Sequence, residues 1–399
     1  MIVEPKIRGF ICTTAHAEGC KENVKNQINF IKSNPKVNGP KKVLVIGAST
    51  GYGLASRITA AYSCGAATIG IMYEKPASGN RTATAGWYNT AAFEEIATKD
   101  GIYAKSLNGD AFSRDMKEQA IALISKDLGK IDMVIYSLAS ARRTAEDGTT
   151  YTSALKATKE TFVSKALDLR NNTIVEASVP VANEEEIANT IKVMGGEDWA
   201  DWIDALVKAD VLEEHAVTVA YSYIGPELTY PVYKDGTIGE AKKHLHATAN
   251  QLTSMYSSLD MKAYISVNKA LVTQASSAIP VVPLYMSLLY KVQKENGTHE
   301  GCIEQIYRMF HEKLYVAKPI VDESGMMRLD DYELEPVVQE KIVTLWDSIT
   351  TENIKQVADI DGYWSDFYNL FGFGFDTVDY TKDIDVNVPI ASVKVDNEA

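Results

Sequence analysis

The segment KKVLVIGASTGYGLASRITAAY, Lys41 to Tyr62, constrains the fold of this chain more than any other. A β-branched apolar run from Val43 to Ile46 stops at Gly47, glycines return at Gly51 and Gly53, and an apolar pattern at helical spacing follows through Leu54, Ile58 and Ala61. Strand, glycine turn and helix in immediate succession predict the opening of a Rossmann-type unit. The missing side chains let backbone N–H groups approach a pyrophosphate, and the helix N-terminus behind them adds partial positive charge. Gly47, Ala48, Ser49, Thr50, Gly51, Tyr52 and Gly53 therefore form a candidate cradle for a dinucleotide, with a glycine-rich turn that holds no ligand as the plainer alternative. The G-x-x-x-G-x-G spacing is commoner in short-chain dehydrogenases than G-x-G-x-x-G.

The same rhythm continues downstream. ATIGIMYE (Ala67 to Glu74) reads as a second buried strand, and AAFEEIATKDG as a helix ended by Gly101. GIYAKSLNGD is the third strand, DMKEQAIALISKDLGK the next helix and IDMVIYSLAS the fourth strand. AVTVAYSYI (Ala216 to Ile224) and AYISVNKALV (Ala263 to Val272) add two more. Alternating strands and helices imply an α/β fold: a Rossmann-type, doubly wound parallel sheet with helices on both faces. An excursion over 140–215 carries a β-hairpin about Asn171-Asn172 and a helix at GGEDWADWIDALV. The remainder reads as a helical C-terminal extension, with patterns at HEGCIEQIYRMFHEKLY and EPVVQEKIVTLWDSI and a short strand near Met327 to Tyr332. No Pro/Gly/Ser-rich boundary interrupts the chain. The expectation is one enlarged domain over 1–399, with a dinucleotide-binding core at 41–280 and a mostly helical extension at 281–399 packed on it.

Composition narrows the partners. A formal net charge of −13 argues against nucleic acid, which needs clustered Lys and Arg. Cys12, Cys20, Cys64 and Cys302 contain no C-x-x-C pair, so neither a disulfide framework nor a metal site is expected. The longest apolar stretch, Ala278 to Tyr290, is short and broken by Pro280 and Pro283, which predicts no membrane insertion and a cytoplasmic protein.

Several side chains could carry chemistry. Glu74 ends the second strand, about twenty residues beyond the glycine turn, where an acidic group accepts hydrogen bonds from both hydroxyls of an adenosine ribose and repels a 2′-phosphate. This favours NADH over NADPH, although Lys75 follows it directly; a solvated strand-end glutamate is the alternative. Asp110-Ala111 and Leu138-Ala139 follow the third and fourth strands, at the sheet edge where such folds bind ligands. In YSYIGPELTYPVYKDGTIGEAKKHL, Tyr233 and Lys242 are candidates for a phenol that donates a proton and an ammonium that lowers its pKa. Nine residues apart on one helix they would point about 180° away from each other, because each residue turns about 100°. Thr237-Ile238-Gly239-Glu240 looks like a capping box, so the helix should start near Ile238 and leave Tyr233 on the preceding loop. A Tyr and a Lys at this distance also occur together by chance. Tyr290 and Lys294 have the Tyr-x-x-x-Lys spacing of short-chain dehydrogenases but fall one helix too late, so Tyr290 reads as a helix-face residue. Tyr223, at the end of the fifth strand, is better placed to touch substrate. His244 and His246 share no helix face and read as surface histidines. No G-x-S-x-G elbow or Walker A sequence competes.

With these residues in view, the chain resembles the trans-2-enoyl-CoA reductases, FabV-type enoyl-thioester reductases related to short-chain dehydrogenases. The resemblance runs from MIVEPKIRGFI to the acidic tail, through GASTGYGLASRITAA, TAGWYN, NGDAFS, VIYSLAS, VMGGEDW, AYSYIGPE, Tyr-x8-Lys and SVNKALVTQASSAIPVVPLY. It implies a Rossmann-type core with Tyr233 as proton donor, Lys242 contacting the cofactor and Tyr223 contacting a thioester substrate. It also implies NAD contacts from Gly47 to Tyr52, Tyr73 and Glu74, Asp110 and Ala111, Leu138 and Ala139, and Leu271, Val272 and Thr273. Two departures stand out: His16-Ala17-Glu18-Gly19-Cys20 where many relatives have His-Pro-x-Gly-Cys, and Ala141 where many have proline. The expected activity is NADH-dependent reduction of the 2,3 double bond of an enoyl-CoA. An enoyl-ACP reductase, with acyl carrier protein as partner, is the nearest alternative. A ketone or alcohol dehydrogenase and an NAD-sensing protein without chemistry are more distant ones.

Overall fold

Val43, Leu44, Val45 and Ile46 are all fully buried, so the strand they form, β1 (Lys42–Ile46), has apolar neighbours on both faces. That is the environment of a central strand in a parallel sheet. In the computed structural model, which describes residues 1–8, 11–138, 140–273, 276, 279 and 281–394, six strands join it. They are β2 (Ala67–Met72), β3 (Ala104–Asn108), β4 (Ile131–Tyr136), β5 (Leu212–Ser222), β6 (Lys262–Val267) and β7 (Met326–Arg328). Every pairing is parallel, in the order β7-β6-β5-β4-β1-β2-β3. The order reverses between β1 and β4, which leaves a crevice at the C-terminal ends of these strands.

Alternation along β1 assigns the two helical layers. Val43 and Val45 share a core with α1 (Ala17–Ser33), α2 (Gly51–Ser63) and α3 (Ala85–Lys99). Leu44 and Ile46 face α4 (Arg114–Asp127), α6 (Glu197–Lys208) and α7 (Thr237–Met255). Between β4 and β5 the chain leaves the sheet. The hairpin about Asn171-Asn172 pairs Phe162–Asp168 with Thr173–Val179, and Asn172 takes the left-handed φ of +53° that closes it. A second hairpin, Arg142–Thr144 with Thr150–Thr152, has strands too short to show an alternating pattern in the sequence. Next comes α5 (Glu184–Met194), whose Asn183 and Glu186 form a capping box.

The GGEDW stretch fastens α6 to α7. A Cβ on Gly196 would lie 2.1 Å from Thr248 Oγ1, and Gly196 N donates to His244 Nδ1 at 3.0 Å. His244, read as a surface residue, is exposed but accepts this backbone bond. Trp199 Nε1 donates to Thr218 Oγ1, tying α6 to β5.

The extension comprises α8 (Val282–Asn296), α9 (Cys302–Arg308), β7, α10 (Pro336–Ser348), α11 (Ile354–Val357) and α12 (Ile360–Asn369). The single helix expected over HEGCIEQIYRMFHEKLY divides at Arg308, and Met309–Leu314 continues as wider π turns. Side chains of α8, α10 and α12 share one buried cluster with Tyr233, Leu271 and Val272, so the extension covers the C-terminal edge of the sheet. Lys165 of the long hairpin closes the end of α10, donating to the carbonyls of Trp346, Asp347 and Ile349. The final segment returns to the start of the chain. Trp87 Nε1 and Tyr88 Oη donate to the carbonyls of Val388 and Val386. His16 caps α1 through Gly19 N and packs edge-on against Tyr380. A Cβ on Gly19 would meet the Gly372 carbonyl oxygen at 1.6 Å. Since that obstacle is backbone, Gly19→Ala is expected to destabilise the fold by about 1–3 kcal/mol, read as a lower urea unfolding midpoint than wild type.

Candidate active site

The glycine turn is shaped by close contact. Gly47 has φ +82°, and a Cβ there would lie 2.3 Å from the Ser137 carbonyl oxygen at the end of β4. A Cβ on Gly53 would lie 1.9 Å from the Gly47 carbonyl oxygen, so only glycine lets α2 begin directly against the turn. Gly51 contributes conformation instead, with φ +53° and open space where a side chain would be. Gly47 N and Ala48 N both donate to the Ile71 carbonyl, which anchors the turn to β2. The N-terminus of α2 is thereby aimed into the crevice, with no side chain from Gly51 or Gly53 in the way. This is the cradle that a pyrophosphate requires.

Neighbouring strand ends bring further expected residues to the turn. Glu74 lies just past β2, and its Oε1 accepts a 2.6 Å hydrogen bond from Ser49 Oγ. Room for that carboxylate comes from Gly86, whose Cβ would sit 2.1 Å from Glu74 Oε1; this is the structural reason for a glycine in TAGWYN. Tyr73 is largely exposed, whereas Ala111 is buried. Ala111 is held from two directions, its carbonyl accepting from Trp202 Nε1 at 3.0 Å and from Lys117 Nζ at 3.4 Å. Lys117 itself forms a buried ion pair with Asp198. Leu138 lies beyond the last residue of β4, half-buried. Ala139, expected beside it, lies outside the described residues.

Tyr223 follows directly on β5. Gly225, at φ +74°, leaves room for its phenol, since a Cβ there would lie 2.8 Å from the Tyr223 hydroxyl. Tyr233 sits on the turn before α7, with its N–H donating to the Thr229 carbonyl. Gly239 lets this turn rest on the first turn of α7, because a Cβ would lie 2.3 Å from the Tyr233 carbonyl oxygen. The loop-then-helix placement of Tyr233 and Lys242 is therefore present. The capping box is not: Gly236 is the N-cap, and the Thr237 hydroxyl is instead committed to Ala154 and Lys156. The Tyr223 and Tyr233 rings meet edge to face, 4.5 Å between centroids. Tyr233 is 7% exposed, and its hydroxyl has no hydrogen-bond partner among the described residues. Burial, and then the charge of Glu333, raise its pKa. The expectation that Lys242 lowers the phenol pKa does not hold in this arrangement. Lys242 Nζ turns to the Tyr221 carbonyl at 2.9 Å, and burial brings its own pKa down to about 8.

Other residues of this region escape sequence reasoning. Asn268 to Thr273 is a loop, not the end of β6, and other side chains hold it open. Tyr52 Oη donates to the Lys269 carbonyl at 3.1 Å and accepts from Gln305 Nε2 at 3.0 Å, stitching the glycine turn to this loop. Tyr290 is fully buried and is no simple helix-face residue: its hydroxyl accepts from Val272 N at 3.1 Å. A cavity next to α2 is lined by Thr50, Gly51, Val272, Thr273, Tyr290 and Asp366, bringing together two segments expected to hold the cofactor. Within Ala278 to Tyr290, expected to line an acyl pocket, Leu284 to Tyr290 is fully buried; Ala278 and Pro280 lie outside the described residues. Glu333, on the turn between β7 and α10, is wholly buried beside Tyr223. Nothing near it in the sequence distinguishes it from a surface glutamate, because its partners are 48 to 110 residues away.

A parallel sheet with a glycine turn at its reversal point and a tyrosine pair at the adjoining strand ends is the architecture of a dinucleotide-dependent oxidoreductase. Family models match nearly end to end: the NAD(P)H binding domain of trans-2-enoyl-CoA reductase over residues 2–79, the trans-2-enoyl-CoA reductase catalytic region over 81–315 and the enoyl reductase FAD binding domain over 321–384. The chain is 55% identical over 391 residues to the trans-2-enoyl-CoA reductase [NADH] of Ruminiclostridium cellulolyticum, covering 98% of this chain and 99% of that one. It is 58% identical over 396 residues to the enoyl-[acyl-carrier-protein] reductase [NADH] of Flavobacterium johnsoniae, covering 99% and 100%. The crystal structure of Clostridium acetobutulicum trans-2-enoyl-CoA reductase in complex with NADH superimposes with a TM-score of 0.94 at 45% identity, covering 97% of this chain and 98% of that one. The chain belongs to the trans-2-enoyl-CoA reductase family.

The flavin named for residues 321–384 does not fit that segment. An isoalloxazine needs an open slot, but Tyr363, Phe367, Phe371 and Phe373 are packed into the core, and Glu333 is committed to Tyr223, Tyr285 and Ala270 N. A dinucleotide does fit the glycine cradle. Gly53→Ala would push the Gly47 carbonyl out of place, so NADH fluorescence titration is expected to show binding weakened by at least about tenfold, with far-UV circular dichroism unchanged.

Proposed function

We propose that this chain is an NADH-dependent reductase that saturates the 2,3 double bond of trans-2-enoyl-CoA thioesters. The observation that carries the reading is the juxtaposition of Tyr223, just past β5, with Tyr233, on the turn before α7, in a sheet whose β1 ends in a glycine cradle and within a chain of this family. When bound, the dihydronicotinamide supplies a hydride. The thioester carbonyl withdraws electron density from the β-carbon, which accepts that hydride and leaves an enolate oxygen. Tyr233 meets this oxygen with its phenol proton, which burial and the nearby Glu333 charge keep in place until negative charge develops on the substrate. Protonation of the α-carbon by solvent completes the reduction, as the enol O–H returns its proton to the Tyr233 phenolate and the thioester carbonyl re-forms. Lys242, on the first turns of α7, orients the nicotinamide ribose, and Tyr223 supports the thioester. Turn residues 47–53 hold the pyrophosphate; Asp110, Ala111, Leu138 and Ala139 border the cofactor, as do Leu271, Val272 and Thr273.

The 58% identity to an enoyl-[acyl-carrier-protein] reductase favours a second reading, in which the acyl group arrives on acyl carrier protein. Comparing turnover of one acyl chain on the two carriers separates them.

Two outcomes are expected. Wild-type protein consumes NADH in the presence of crotonyl-CoA, and Tyr233→Phe lowers kcat by at least about a hundredfold, consistent with the loss of a general acid; wild-type turnover in Tyr233→Phe would remove the phenol from the mechanism. Glu74→Ala takes away the carboxylate that repels a 2′-phosphate, so the ratio of kcat/KM for NADH to that for NADPH should fall by about tenfold or more.

A further inference from the structure

Three donors converge on one buried carboxylate at the edge of the proposed site. Glu333 Oε1 accepts from Tyr223 Oη at 2.9 Å and from Tyr285 Oη at 2.8 Å, and Oε2 accepts from Ala270 N at 2.7 Å. Gln339 Nε2 donates to the Glu333 carbonyl and to Tyr285 Oη, so the turn and its partner are both fixed by α10. Burial pushes the Glu333 carboxyl above the usual carboxylate range, while the Ala270 N–H and the Tyr285 and Tyr223 hydroxyls pull it back; all three bonds run toward the carboxylate oxygens, which as an ionised group can only accept. The consequence for the two tyrosines is asymmetric. The Tyr223 proton points at Glu333, which leaves only lone pairs facing other partners, whereas the Tyr233 hydroxyl is uncommitted among the described residues.

We infer that Glu333, supplied by the C-terminal extension, is the positioning residue that divides labour between the tyrosines: it commits the Tyr223 proton and so leaves Tyr233 as the sole phenolic donor to the substrate. The inference rests on the proposed enoyl-thioester reduction. Through Oε2 Glu333 also accepts from Ala270 N, a bond that the amide oxygen left by Glu333→Gln can still accept, so the loop that leads to Leu271, Val272 and Thr273 stays held in that variant. Glu333 does not meet substrate. Its effect is transmitted by Tyr223.

A double-mutant cycle tests this. With crotonyl-CoA and NADH, Glu333→Gln is expected to lower kcat by about tenfold or more while KM for NADH stays within about twofold of wild type. Starting from Tyr223→Phe, where no Tyr223 proton needs directing, the same substitution should change kcat by less than about threefold. Glu333→Asp, which keeps the charge one methylene shorter, should recover part of the loss. An equal fall in both backgrounds, or wild-type kcat in Glu333→Gln, overturns the inference. If Glu333→Gln does not give folded protein by circular dichroism, Glu333→Asp in both backgrounds carries the same comparison, with the same two outcomes deciding. The wild-type arm is read separately: no turnover of any enoyl thioester overturns the proposed function itself.

Discussion

Everything at the functional edge depends on how closely the turn after β1 can approach its neighbours. The Ser137 carbonyl at the end of β4 occupies the space a Gly47 side chain would need, and the Gly47 carbonyl occupies the space a Gly53 side chain would need. These two contacts seat the N-terminus of α2 against the point where strand order reverses. They also bring Tyr52 within reach of the Lys269 carbonyl, so the loop after β6 is located by the same turn. Backbone obstacles cannot rotate away as side chains can, so this turn tolerates little adjustment.

A second constraint comes from the far end of the chain. A carboxylate buried without partners would be expensive, and Glu333 is tolerated because Tyr223, Tyr285 and Ala270 each give it a hydrogen bond. Satisfying that group fixes the extension relative to β5 and β6. The extension therefore completes the crevice instead of merely covering a sheet edge: Glu333 reaches Tyr223, and Tyr290 of α8 holds Val272.

Much of the fold was legible in the sequence because it rests on local pattern. The strands after Lys41, the helices between them and the hairpin at Asn171-Asn172 each carry their signal within a few residues, as apolar runs, helical spacing or a turn pair. The placement of Tyr233 before a helix carrying Lys242 was legible for the same reason, since the stretch Thr237 to Glu240 reads as a helix start and the helix begins at Thr237. Errors arose where a local pattern had a competing tertiary use. Thr237 resembles a cap, yet its hydroxyl serves Ala154 and Lys156 of the excursion. Tyr290 resembles a helix-face residue, yet it is buried against a loop eighteen residues away. The helix after Cys302 loosens into π turns that no periodicity announced.

The sequence by itself determined the parallel sheet, the glycine turn and the placement of Tyr233 ahead of the helix that carries Lys242, because each depends on neighbours in the chain. Only the tertiary structure decided what those groups face: that Lys242 turns to the Tyr221 carbonyl, that Tyr223 and Tyr233 meet edge to face, and that Glu333 stands behind them. The physical reason is that hydrogen-bond partners and local dielectric are properties of the surroundings. A phenol's readiness to give up its proton is set by burial and by charges brought from distant parts of the chain, and no spacing of letters encodes either.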